Sequence, residues 1–162
     1  MKRTKEISNA DNLIDTRDVI ARIEELQAEK DALEGEVEEK LGDFNAAEPD
    51  ESTEDETEAR RSALETAKHD LKEWVDDAGP ELAALTTLAD EAEDYAADWK
   101  HGETLIRDSY FEKYAQELAE DIGAIDRNAS WPLGCIDWEK AAEELQIDYT
   151  SVDYDGVTYW IR

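Results

Sequence analysis

Apolar positions in the first half of the chain recur at alternating steps of three and four. Val19, Ile23, Leu26, Leu33 and Val37 follow a 4, 3, 7, 4 spacing, a heptad seam with Lys30 at the one missing position. Asp15 is placed to cap this helix, with Ile14 before it and Val19 where a hydrophobic staple closes, and Gly42 reads as its stop. Residues 1–14 look frayed. A second seam runs through Leu64, Ala67, Leu71, Trp74 and Ala78. Between the seams, residues 43–58 hold eight acids, no base and Pro49, without periodicity, which reads as a solvated loop or linker. Two such helices are expected to form an antiparallel, coiled-coil-like hairpin over residues 1–78, each burying one narrow stripe. The apolar surface left over should pack on the rest of the chain or on a second copy, so a homodimer is one expectation.

Gly79-Pro80 marks the next boundary, since Pro fits the first turn of a helix. Leu82, Leu85, Leu88, Ala92, Tyr95, Ala96 and Trp99 keep helical spacing to about Lys100. Leu105 and Ile106 form a short apolar step. Asp108 or Ser109 then opens a helix with Tyr110, Phe111, Tyr114, Leu118 and Ile122 on its buried face, closed by Gly123. Residues 124–136 read as a loop around Trp131-Pro132, and Asp137 as the N-cap of a short helix through Trp138, Ala141, Ala142 and Leu145. Over 149–162, two alternating runs flank Asp155-Gly156, a favoured type I′ turn pair. That register puts Val152, Tyr154, Val157, Tyr159 and Ile161 on one face and Ser151, Asp153, Thr158 and Trp160 on the other. The first face should pack on the preceding helices, because a lone hairpin is unstable. The fold class expected is mainly α: a helical hairpin, then a compact helical domain over 79–162 with a small α+β unit ending in a β-hairpin. Trp131, Trp138, Tyr159 and Trp160 are assigned to core or dimer contact.

Composition changes this picture chiefly through charge. The 162 residues include 45 Asp+Glu against 17 Lys+Arg, a formal net charge of −28. Five Trp and six Tyr separate the chain from a featureless acidic tail. Such a balance excludes unaided binding to nucleic acid or anionic lipid, where phosphate contacts need surplus Lys and Arg. One cysteine, Cys135, leaves no intramolecular disulfide and no Cys-based zinc site, and it reads as a small buried hydrophobe beside Trp131 and Ile136. The basic N-terminus lacks a following apolar stretch, and no run reaches the ~20 apolar residues of a membrane span. Soluble, cytoplasmic residence is the expectation.

Candidate chemistry is sparse. His69 and His101 stand outside any ligand-spaced motif, and no Gly-rich phosphate loop, nucleophile elbow or His-Glu-x-x-His segment is present. Asp153-x-Asp155-Gly156 resembles part of a calcium loop, but its partner acids are out of place and hairpin turn chemistry accounts for it. Neither catalytic residues, nor metal ligands, nor a cofactor are assigned.

What remains is the charge itself. Duplex DNA carries one negative charge per ~1.7 Å of axis, so 28 charges match roughly 14 base pairs, or about 48 Å. Carboxylates at i and i+4 on a helix lie roughly 6 Å apart, so helices can present anionic rows of comparable density. Residues 81–126 hold 13 acids and three bases. The main anionic surface is expected from Asp90, Glu91, Glu93, Asp94 and Asp98 on one helix and Glu112, Glu117, Glu120 and Asp121 on the next, projecting outward. Glu48, Asp50, Glu51, Glu54, Asp55 and Glu56 supply an auxiliary acidic loop. Such clustering repels itself and steers a strongly basic partner, with association that weakens as salt rises. The fitting partner is a basic DNA-binding protein or complex. The alternatives are an acidic adaptor that recruits a partner through its heptad helices, and a solvated surface adapted to high salt.

The segments Ser109–Gly123, Trp131-Pro132, Cys135–Glu139 and Asp155–Trp160 resemble parts of the ArdA-type antirestriction proteins of phages and plasmids. The likeness covers about the last 55 residues and is carried by a pattern of aromatic and acidic positions. It implies an elongated, dimerising DNA mimic that occupies the DNA groove of a type I restriction-modification enzyme in the host cytoplasm. The front half departs from that family, with a heptad hairpin in place of a mixed α/β start. Another nucleic-acid-binding defence target, such as a CRISPR effector complex, is therefore also compatible.

Overall fold

The computed structural model describes residues 4, 6–46 and 53–162. Their order is β1 (Leu13–Asp15), α1 (Thr16–Asn45), α2 (Glu54–Asp77), α3 (Gly79–Glu93), β2 (Thr104–Arg107), α4 (Phe111–Asp121), α5 (Trp138–Gln146), β3 (Thr150–Tyr154) and β4 (Val157–Ile161). The protein is mostly helical with one small antiparallel sheet, in agreement with the mainly α class and its C-terminal hairpin. Contacts divide it into two compact units, residues 23–83 and residues 1–22 together with 84–162.

The first unit is the helical hairpin. Asp15 starts α1 as expected: its carboxylate accepts the Arg17 backbone N–H at 2.9 Å. Gly42 does not stop the helix, which runs on to Asn45. A single helical Gly costs only about 1 kcal/mol, and the seam carries through it, since Lys30, Leu33, Val37, Lys40 and Phe44 are all half-buried. The second helix starts earlier than its apolar seam suggests. Thr53 accepts from Glu56 N–H while the Glu56 carboxylate accepts from Thr53 N–H, a reciprocal capping box that outweighs the absence of apolar periodicity. The expected loop over 43–58 is therefore helical at both ends. Glu54, Asp55 and Glu56 form the first turn of α2, where the helix dipole favours acids. Glu48, Asp50 and Glu51 lie outside the described residues.

The hairpin runs antiparallel. Trp74 Nε1 donates to Glu29 Oε2 at 3.1 Å, joining α1 to α2. Glu29 lies about 24 Å before the end of α1 and Trp74 about 30 Å after the start of α2. A connection of eight residues, 46–53, reaches at most ~28 Å, so parallel helices would leave these two side chains at least ~26 Å apart. Within residues 23–83 the seam's deepest residues are Leu26, Leu64 and Ala67, each at most 5% exposed.

The second unit is built on a four-stranded antiparallel sheet of order β1-β2-β4-β3. Two of its strands were not expected. Leu13–Asp15 pairs with Thr104–Arg107, so this stretch belongs to the sheet rather than to a frayed end, and Ile7 is buried as well; residues 1–3 and 5 lie outside the described residues. Leu105 and Ile106 point to opposite faces and both are fully buried, which is why they read as an apolar step instead of an alternation. The terminal hairpin takes its expected register, with Tyr154 opposite Val157 and Val152 opposite Tyr159. Asp155 (φ 49°) and Gly156 (φ 77°) make the left-handed turn. Of the expected apolar face, Val152, Tyr154, Tyr159 and Ile161 are buried and Val157 is half-buried. However, α4 and α5 cover the opposite face, where Ile106 and Trp160 pack with Phe111, Ala115 and Ala142. Edge-on contacts of Phe111 with Tyr149 and Trp160 fill this layer.

Three further expectations are corrected. First, α3 stops at Glu93 rather than Lys100, because Thr16 pulls the following turns inward. Thr16 Oγ1 donates to the Trp99 carbonyl at 2.7 Å and accepts from Glu103 N–H at 2.8 Å, and Tyr95 is left 57% exposed. Second, Ile122 is 70% exposed, because α4 ends at Asp121 and Gly123 (φ 72°) turns the chain away. Third, Trp131 is 83% exposed and Cys135 is exposed, so neither belongs to the core. The 124–136 loop folds on its own backbone, with a cis Trp131-Pro132 bond and a 3-10 turn at Leu133–Cys135, and covers no apolar surface with these side chains.

Candidate anionic surface

Asp90, Glu91 and Glu93 occupy the last turn of α3, and Asp94 and Asp98 lie in the turns beyond it. All five are exposed, but the end of the helix at Glu93 breaks the regular row expected through residue 98. Glu93 is paired with Lys100 at 3.0 Å. On α4 the acids differ among themselves. Glu112 and Asp121 are exposed. Glu117 accepts from the Tyr110 hydroxyl at 2.7 Å and faces Lys113 at 3.7 Å. Its carboxylate pushes the Tyr110 phenol above its ordinary value. Glu120 departs furthest from the expectation: its side chain is only 12% exposed and ion-paired with Arg127 at 3.0 Å. Arg127 itself lies in a shallow depression with Glu120, Asp121 and Asp126. The outward face of α4 thus alternates carboxylates with cations and an amide, Gln116, and it is not a uniform anionic row.

Charge is denser elsewhere. Residues 23–83 carry 22 acids and six bases, a net −16, whereas the other 101 residues carry a net −12. Three of those six bases, Lys30, Lys40 and Arg60, sit half-buried at seam positions rather than on the outer faces. Lys30 turns to Glu34 at 3.5 Å and Lys40 to Glu39 at 2.8 Å. On the outer face, Arg61, Lys68 and Lys72 each pair with an acid one turn away, Glu58, Glu65 and Asp76. The α2 helix of 24 residues is about 36 Å long. The described residues of this unit carry a net −13, and over that length this amounts to roughly three fifths of the linear charge density of duplex DNA. Lys30 stood at the missing seam position in the sequence, whereas Lys40 and Arg60 lie beyond the apolar residues that marked the two seams.

Among the described residues no group of three or more His, Cys, Asp or Glu is arranged to hold a metal ion, and no helix is long and apolar enough to cross a membrane. The chain matches no family model, no curated protein and no solved structure among those compared.

Proposed function

We propose that this protein is a DNA-mimic inhibitor: it presents carboxylates in place of phosphates to the basic groove of a nucleic-acid-binding defence enzyme of the host cytoplasm. A type I restriction-modification enzyme is the first target to consider, and a CRISPR effector complex the second. The observation that carries this reading is the charge of the hairpin unit, −16 over 61 residues with half of its cations drawn into the seam. Six acids of the second unit, Asp90, Glu91, Asp94, Asp98, Glu112 and Asp121, are exposed and add to that field. A basic groove would be steered onto such a surface at a rate that falls with ionic strength. The likeness of the last 55 residues to ArdA-type proteins points the same way.

The test is competition on a purified type I restriction-modification enzyme. The protein should displace labelled duplex DNA, and reversing Glu34, Glu38, Asp70 and Asp77 to Lys should weaken displacement more than reversing Glu117 and Glu120. Equal displacement by both variants and the wild type would remove charge as the cause. The adaptor alternative requires a heptad seam open to another chain; of the four leucines it would use, Leu26 and Leu64 are buried within this one and Leu33 and Leu71 are half-buried.

A further inference from the structure

The 124–136 loop carries two large apolar side chains into solvent, Trp131 at 83% and Leu133 at 52% exposure. Its backbone is nevertheless closely tied. Ala124 N–H donates to Ala119 O, Ala129 N–H to Asp126 O, Gly134 N–H to Ser130 O and Cys135 N–H to Pro132 O, all between 2.9 and 3.1 Å. Asp126 Oδ1 accepts from Asn128 N–H at 3.2 Å, and Asp137 caps the helix that follows. At Gly134 a Cβ would fall 2.9 Å from Ala129 O, so the loop closes too tightly for a side chain there. The two apolar side chains are therefore displayed on an ordered backbone, so less conformational entropy is lost on docking. In sequence the loop is flanked by Glu120, Asp121, Asp126, Asp137 and Glu139 against two cations, Arg127 and Lys140, and Arg127 is bound to Glu120.

We infer that Trp131 and Leu133 form the apolar anchor by which this protein is held on its basic partner, seated in an apolar pocket rimmed by Lys and Arg. This rests on the proposed function, in which the partner is a cationic protein. Two features on the chain choose that occupant. The acids that flank the loop, and the chain's net charge of −28, are complementary to a cationic partner, and a second copy would bring another −28 charges against them. Charge of this kind sets the speed of encounter, whereas residence depends on desolvated anchors, among which Trp is enriched. The long-range field brings the partner in, and the loop keeps it there.

The test uses the full chain and two synthetic peptides of equal length and equal lysine number, one with serine and one with leucine at the intervening positions. The wild type should release the Lys/Leu peptide about tenfold more slowly than the Lys/Ser peptide. Trp131→Ala combined with Leu133→Ser should abolish that difference without changing release of the Lys/Ser peptide or the thermal midpoint, and Trp131→Phe should restore most of it. The inference is overturned if the double variant keeps the difference or the wild type shows none. If neither peptide binds even at low salt, the anionic-surface reading fails and takes this one with it. If both peptides bind wild type and variant alike, only the anchor fails. Co-sedimentation of the wild type, but not the variant, with phosphatidylcholine vesicles would assign the loop to a membrane surface and overturn the protein partner.

Discussion

Trp74 donates its indole N–H to the Glu29 carboxylate at 3.1 Å, across 45 positions of sequence. That one bond fixes the direction of the helical hairpin and aligns its two seams. Aligned from it by heptad steps, Leu33 faces Leu71. In a Cys135→Ser background, Leu33→Cys with Leu71→Cys should therefore oxidise readily to an intramolecular disulfide, whereas Leu33→Cys with Leu64→Cys should not. Gel mobility with and without reductant checks this.

Repulsion among 22 acids opposes the hairpin's fold. Exposed charges more than about 10 Å apart are largely screened at 0.1 M salt. The thermal midpoint of the helical signal should thus rise when sodium chloride increases from low to molar concentration, the reverse of a protein held by surface ion pairs. Scanning calorimetry at three salt concentrations measures it.

Thr16 ties the start of α1 to the turn after α3 and to the strand beyond it. Its side chain is fully buried. Thr16→Val keeps the shape but leaves the Trp99 carbonyl and the Glu103 N–H without their partner, at a cost of about 2–3 kcal/mol. Chemical denaturation should show this loss, with a smaller one, about 1 kcal/mol, for Tyr159→Phe. The latter removes a hydroxyl donated to Asp11 O at 2.7 Å.

Acid and alkali should destabilise the protein through different residues. The Arg17 side chain holds the Asp15 carboxyl below its ordinary value, and Thr53 N–H does the same for Glu56. Groups lowered in the folded state contribute stability above their unfolded values, near 4, and that contribution is lost as pH falls through the folded ones. Burial raises the Tyr149 and Tyr159 phenols, with the Tyr114 hydroxyl adding to the first. Their contribution is present below about pH 10 and is lost as pH rises through the folded values. In Asp15→Asn the acid limb should shrink, and in Tyr149→Phe the alkaline one.

Long periodic segments were legible in the chain and short ones were not. Heptad spacing marked both hairpin helices, and Asp155-Gly156 with its flanking alternation marked the terminal strands in the correct register. Strands of three and four residues, Leu13–Asp15 and Thr104–Arg107, are too short to show alternation, and their pairing is a long-range property. Tyr95 kept the helical period while the chain had already turned, because a distant hydroxyl, that of Thr16, decides where α3 ends. For the anionic surface, counting acids located charge but not its availability. Glu120 is held by an arginine seven positions on, and helical spacing places Arg127 outside the reach of such a pairing. Trp131 shows the converse: an aromatic residue is no sign of burial where the loop around it closes on its own backbone.

The most direct test of the central claim is to immobilise the protein, capture its partner from a host lysate at low salt, and elute with duplex DNA. The account predicts a DNA-binding enzyme that is released by duplexes of about 14 base pairs or longer and is no longer captured at high salt. A partner retained in the presence of excess duplex, and indifferent to salt, would contradict it.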